Sequence, residues 1–146
     1  MAERVPPGTR ADYAAFSQHD TRWKDNDVYG HLNNVVHYSI FDSAVNGWLI
    51  GQGLLDPLNS AQIGLVVETG CRYHAEMAFP DRIAAGIRVA RIGTSSVRYE
   101  IGLFRNDADT AAAEGFFVHV YVDAATRRPA PLAGPLRAAL ETLIVG

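Results

Sequence analysis

Residues 23–51 read WKDNDVYGHLNNVVHYSIFDSAVNGWLIG. The first third is polar and rich in reactive side chains, and the rest turns strongly apolar. At about 100° per residue, Ser39, Asp42, Ser43 and Asn46 fall together in one narrow arc. Val36, Tyr38, Ile40, Phe41, Ala44, Val45, Trp48 and Leu49 fill most of the remaining circumference. The spacing predicts a helix over 34–51 that shows little of itself to water and is wrapped by other structure. Asn33 or Asn34 suits its N-cap, and Gly51 or Gly53 suits its end.

The flanking sequence supplies the wrapping. Residues 14–24 form a candidate first strand, with Phe16, His19, Thr21 and Trp23 as candidate inward positions. After residue 63 the period switches to two. Leu65, Val67, Thr69, Cys71, Tyr73, Ala75 and Met77 fall on one side, with polar residues between them, which predicts a long half-buried strand. FPDR at 79–82 is a turn signal, and residues 83–92 a strand. GTSS at 93–96 is a tight connection, and residues 97–105 the next strand, with Val97, Tyr99, Ile101 and Leu103 on one face. NDADT at 106–110 is another turn. Residues 111–123 give a last strand, and 135–144 a short closing helix. Short turns imply antiparallel neighbours. Strands segregated from one long buried helix predict an α+β domain, an antiparallel sheet curling around that helix.

The chain has 146 residues, which fits a single domain spanning 1–146, with residues 1–12, carrying Pro6, Pro7 and Gly8, as a loose N-terminal arm. A net charge of −3 argues against nucleic-acid binding. The single cysteine, Cys71, rules out an intrachain disulfide and suits a reducing cytoplasm. MAERVPPGTR lacks the apolar core of a signal peptide, and no run of 18 apolar residues predicts a membrane span. The expectation is a cytoplasmic protein without a membrane partner.

The polar residues before the helix point to chemistry. A helix N-terminus offers backbone N–H groups without partners and a partial positive charge, which suit a developing oxyanion. A carboxylate held just before it can attack a carbonyl or activate water. Asp25, Asp27, Asn33 and Asn34 suit turn and cap roles equally well.

DNDVYGHLNNVVHY, residues 25–38, resembles the signature of the 4-hydroxybenzoyl-CoA thioesterase-like family of hotdog-fold proteins, Asp-x-Asp-x-x-Gly-His-x-Asn-Asn. The likeness continues through GLVVETGCRYHAEMAFPD, RIGTSSVRYEI, EGFFVHVYVD and TRRPAPL, and covers roughly residues 18–137. The resemblance implies a hotdog fold, a five-stranded antiparallel sheet wrapped around one long central helix. It implies a homodimer or homotetramer whose sheets join edge to edge. It also implies hydrolysis of an acyl-CoA substrate without metal or other cofactor. The catalytic acid it implies is Asp27, as nucleophile or general base, and the carbonyl-polarising N–H is that of Asn34. A related acyl-carrier thioesterase branch carries Asp-x-Asn-x-His here. This chain has Asp27, Tyr29 and His31, so His31 is a secondary catalytic candidate. Tyr29 and Gly30 are candidate substrate contacts.

Pantetheine in this family commonly lies along the strands around the Gly-Thr-Ser-Ser turn, which makes Arg91, Thr94 and Ser95 candidate CoA-binding residues. Arg98 and the Arg127–Arg128 pair are further cations; a hairpin with solvated arginines fits the same residues. His37 reads as a satisfied core histidine, Glu68 as a strand carboxylate and Cys71 as a core thiol. His74 and His119 lack metal-ligand spacing. No Gly-x-Ser-x-Gly supports an α/β-hydrolase route. Two rival functions share the fold. One is an acyl-thioester hydratase or dehydratase, whose His and acid signatures are missing here; the other is a non-catalytic acyl-CoA-binding module.

Overall fold

The computed structural model describes residues 5–145. Its elements are β1 (Ala15–Asp20), α1 (Asn34–Gly51), β2 (Gln62–Tyr73), β3 (Arg82–Ile92), β4 (Ser96–Arg105), β5 (Ala113–Asp123) and α2 (Gly134–Glu141). The five strands make one antiparallel sheet in the order β1-β3-β4-β5-β2. The sheet wraps α1, the hotdog arrangement that the resemblance implies.

Helix α1 begins and ends for local reasons. Asn33 has extended backbone and its side chain accepts the Val35 N–H at 3.0 Å, which satisfies one orphan donor. At the other end Gly53 takes a φ of 72°. The Leu54 N–H then reaches the Leu49 carbonyl at 2.9 Å, and the Gly53 N–H the Ile50 carbonyl at 3.0 Å. That pair of bonds is a Schellman stop.

Between the caps, α1 buries His37, Ile40, Phe41, Ala44, Val45 and Leu49, while Ser39, Asp42 and Ser43 stay exposed. The helix packs on alternating positions of the sheet: Ile83, Ala85, Ile87 and Val89 of β3, and Val97, Tyr99, Ile101 and Leu103 of β4, all buried. Phe41 is fully buried at the centre of this core. Truncating such a residue to Ala costs roughly 3–5 kcal/mol.

Four expectations are corrected. First, β2 does not pair with β3, its neighbour in sequence. It lies on the outer edge beside β5, and residues 74–81 carry the chain back across the sheet to β3. Second, β2 is not an evenly half-buried strand. A bulge between Val66 and Glu68 breaks its register, and Leu65, Val66 and Val67 are exposed on the open edge. Third, the first strand stops at Asp20. Thr21 is buried and donates to the Asp81 carbonyl at 2.6 Å, whereas Phe16 is exposed and Trp23 is 78% exposed in a short 3-10 turn. Fourth, the arm is tied down from Gly8 onward. The Gly8 N–H donates to Glu114 Oε1 at 2.8 Å, and Thr9 bridges Thr110. Residues 1–4 of that arm lie outside the described residues.

Candidate active site

Residues 25–33 form a closed hairpin just before α1. The Asn33 N–H donates to the Asp25 carbonyl at 2.9 Å, Asn26 and Leu32 form an antiparallel bridge, and the Asp27 N–H donates to the His31 carbonyl at 2.8 Å. The Gly30 N–H returns to the Asp27 carbonyl at 3.1 Å. Gly30 has a φ of 84°, a conformation that favours a residue without Cβ. Two contacts dock the hairpin on the 74–81 crossover. The Leu32 N–H donates to the Met77 carbonyl at 2.7 Å, and the Phe79 N–H donates to Asn26 Oδ1 at 3.0 Å.

The two acids of the motif are held differently. Asp25 is buried and bonds Arg22 through both the backbone N–H, at 2.8 Å, and the guanidinium, at 2.9 Å. Burial alone would raise its carboxyl, but the bonds to Arg22 outweigh burial and hold it below the usual range. Asp25 is therefore a structural anchor. Asp27 Oδ1 accepts the Tyr29 N–H at 2.8 Å, and Oδ2 lies 3.4 Å from His31 Nδ1. His31 Nδ1 also lies 3.3 Å from the Leu32 carbonyl. Tyr29 is 82% exposed at the tip of the turn, its ring stacked on His31.

Asn34 is the first residue of α1. The Val35 N–H is taken by the Asn33 side chain and the Val36 N–H by the Asn33 carbonyl. Among the described residues no acceptor pairs with the Asn34 N–H. It opens at the positive end of an 18-residue helix. A pocket of about 270 Å³ lies there, lined by His31, Asn34, His37, Tyr73, His74 and Met77 among others. His37 is buried, edge-on to Tyr73, with Nδ1 3.3 Å from the Asn33 carbonyl. Desolvation lowers its pKa, offset in part by that carbonyl, so it is a satisfied core histidine that also forms a pocket wall.

His74 joins this pocket without a sequence signal. Its Nε2 lies 3.3 Å from Glu114 Oε1, a pairing that exists only because β2 runs beside β5. Cys71 is half-buried, and burial raises its thiol to about 11. Glu68 lies exposed on the edge of β2.

Arg91, Thr94 and Ser95 are at the opposite end of the sheet. Tyr73, beside the pocket, is in register with Ala113, then Leu103, then Ala85. Six residues of β3 separate Ala85 from Arg91, about 20 Å at strand rise. Arg91 and Thr94 are exposed. The Thr94 and Ser95 carbonyls accept the Leu132 and Tyr121 N–H groups. One chain thus sets Asp27 beside His31, and His31 and Asn34 on one pocket that Asp27 does not itself line, and it does not bring the residues expected to hold CoA to that place. Among the described residues no group of three His, Cys, Asp or Glu side chains could hold a metal, and no helix is long and apolar enough to cross a membrane.

Solved structures agree with this architecture. The PA5185 protein of Pseudomonas aeruginosa strain PAO1 is 48% identical, with a TM-score of 0.93 over 97% of this chain and 99% of that one. A thioesterase from Thermus thermophilus, solved with coenzyme A and zinc, is 26% identical, with a TM-score of 0.74 over 89% of this chain and 94% of that one. A 1,4-dihydroxy-2-naphthoyl-CoA thioesterase from Synechocystis shares the fold at 16% identity, with a TM-score of 0.77 over 86% of this chain and 93% of that one. No curated protein matches the chain significantly. The family model of the Thioesterase-like superfamily matches residues 21–140. With that match spanning the hairpin, the wrapped helix and the whole sheet after β1, the chain belongs to the Thioesterase-like superfamily.

Proposed function

We propose that this protein is a cytoplasmic acyl-CoA thioesterase of the 4-hydroxybenzoyl-CoA thioesterase-like family, working as a homodimer or a dimer of dimers. One observation carries the reading. The Asp27 carboxylate is held in a rigid hairpin immediately before a helix whose first N–H, that of Asn34, has no partner among the described residues. The thioester carbonyl oxygen accepts from Asn34. Asp27 attacks the carbonyl carbon, or takes a proton from a water that attacks it. The helix end stabilises the tetrahedral oxyanion. Collapse breaks the C–S bond and releases CoA as thiolate. Where water attacked, the acyl group leaves directly as free acid; where Asp27 attacked, it stays as an anhydride on the Asp27 carboxylate until a water molecule hydrolyses it to free acid.

The site of one protomer lacks a cationic wall for CoA. Pairing of two β2 edges would supply it from a second copy. The exposed apolar run Leu65–Val67 on an open strand edge supports that pairing. Arg91, Thr94 and Ser95 of one protomer would then serve the site of the other. The discriminating experiment is a thiol-reporting assay over acyl-CoAs of graded chain length and aryl content, run on wild type and Asp27→Asn. Thiol release that Asp27→Asn abolishes supports the proposal. Binding of the same thioesters without release leaves the non-catalytic acyl-CoA-binding module.

A further inference from the structure

A second pocket lies at the other end of α1. His119 of β5 is only 3% exposed, and neither ring nitrogen meets a hydrogen-bond partner among the described residues. Such a group is rare, because unpaired buried polar atoms are costly. The ring is packed by Tyr99, Phe117 and Tyr121. The hydroxyls of Tyr99 and Tyr121 bond each other at 2.7 Å and leave His119 without them. Nδ1 faces β2 at Gly64, where an added Cβ would approach it to 2.8 Å. The ring forms one wall of a pocket of about 240 Å³, with Leu49, Leu54, Leu55, Ile63 and Leu136 as its large apolar lining and Asn46, Ser60 and Gln62 as its other polar members.

The lining and the imidazole together define a ligand chemistry. Desolvation holds the ring neutral at physiological pH, so it offers one donor and one acceptor. A hydroxyl also donates and accepts, so it can pair with a ring nitrogen whether that nitrogen is the donor or the acceptor. A carboxylate or ammonium would lose hydration against the Leu and Ile63 side chains with no side chain of opposite charge lining the pocket, which is costly. A pocket of about 240 Å³ suits a short chain.

We infer that this pocket takes the hydroxyl-bearing end of a short aliphatic chain, with His119 as its hydrogen-bond partner, and that the chain is the far end of the acyl group. The pocket and its chemistry stand on this chain alone. The assignment to the acyl group rests on the thioesterase and dimer reading above. In that dimer two β2 edges pair antiparallel, which lays the Gly64 end of one strand beside the Tyr73 end of the other. Tyr73 lines the pocket at Asn34, so an acyl chain held at one helix start would run toward the partner's Gly64 pocket.

Two measurements test this. In the first, hexanol is titrated into the full-length protein while the ring-nitrogen resonances of His119 are followed by NMR. Saturable shifts are expected in wild type. Hexanol affinity should fall at least tenfold in His119→Phe, and also in Leu55→Trp, which fills the pocket and leaves the imidazole in place. Absence of shifts, or undiminished binding by both variants, overturns the pocket assignment. In the second, kcat/KM is compared for hexanoyl-CoA and its terminally hydroxylated analogue. Wild type should prefer the hydroxylated thioester by at least about tenfold, and His119→Phe should lose the preference while still turning over hexanoyl-CoA. Hexanol shifts without that preference keep the hydroxyl site and overturn its assignment to the acyl chain. Hexanol shifts with no turnover of any thioester keep the site and overturn the thioesterase reading instead.

Discussion

Asp27 Oδ2 lies 3.4 Å from His31 Nδ1, across a turn that closes at Gly30. The other carboxylate oxygen is fixed by the Tyr29 N–H. An Nδ1–H on His31 can be shared between Asp27 and the Leu32 carbonyl, 3.3 Å away. Under the proposed mechanism His31 is then a positioning residue for Asp27, and Asp27 is the group that acts on the thioester.

Asp27→Asn is expected to lower kcat by about 100- to 10,000-fold, the range for losing a general base, with KM little changed. His31→Gln should cost less and shift the pH profile of kcat. Asp25→Asn should act mainly on stability, because Asp25 is buried and its carboxylate is engaged by Arg22. Steady-state kinetics with thermal melts of the three variants checks the division of roles. Equal kcat for wild type and Asp27→Asn on the best substrate would sink the mechanism.

The open edge of β2 makes a prediction about assembly. Val67, the bulge residue, is 62% exposed between two other exposed side chains, Val66 and Glu68. Strand edges of this kind pair unless charge blocks them. Light scattering at micromolar concentration should give at least twice the chain mass of 15.9 kDa. Val67→Lys should shift the protein toward monomer and reduce turnover together, since the turn proposed to bind CoA would then be lost from each site. A wild-type mass of one chain contradicts the shared site.

His119 predicts an acid-sensitive stability. Its ring titrates near 6.5 when unfolded and is depressed to about 4 in the fold, chiefly by desolvation. Between those values the unfolded chain binds the extra proton. Stability is therefore complete above about pH 6.5 and is lost as pH falls toward 4. A shift of that size corresponds to about 3 kcal/mol. His119→Phe should flatten this limb of the pH dependence. Urea midpoints measured at neutrality and near pH 4.5 for both proteins decide it, and parallel acid limbs would remove His119 as the cause.

The parts of this architecture that were legible in sequence are those with a long, unbroken period. Residues 34–51 carry five turns of apolar spacing between an Asn cap and a Gly stop, and α1 has those bounds. Val97, Tyr99, Ile101 and Leu103 alternate cleanly, and all face the core. Strand neighbours were not legible. Period-two alternation assigns faces but not partners, so nothing in residues 62–81 announced that β2 would cross to β5. The bulge at Val67 hid the edge, because one extra residue reverses the side of every following side chain. Trp23 looked inward by composition, but a 3-10 turn sets it against Phe79 near the surface. The hairpin acids were legible as a motif. Their different fates depend on Arg22 and His31, whose contacts appear only when the turn closes. His119 has no sequence signal, since Phe117, His119 and Tyr121 alternate like any strand.

The backbone of Asn34 is expected to matter more than its side chain. Asn33 is the N-cap with extended dihedrals, φ −63° and ψ 142°, so Asn34 is the first helical residue. Proline is favoured there, because its missing N–H has no helical partner and its fixed φ fits the helix. The residue before proline must be extended, as Asn33 already is. Asn34→Pro should therefore keep α1 and its Asn33–Val35 cap bond while deleting the proposed oxyanion donor. Losing one such donor lowers kcat by about 100- to 1000-fold. Asn34→Ala keeps the N–H, and its kcat should stay within a few-fold of wild type. Circular dichroism establishes that both variants fold, and kcat on the best thioester separates them. A folded Asn34→Pro with wild-type kcat means that the carbonyl is not held at this N–H. An Ala variant as slow as the Pro variant assigns the role to the side chain, which lines the same pocket, and removes the backbone argument.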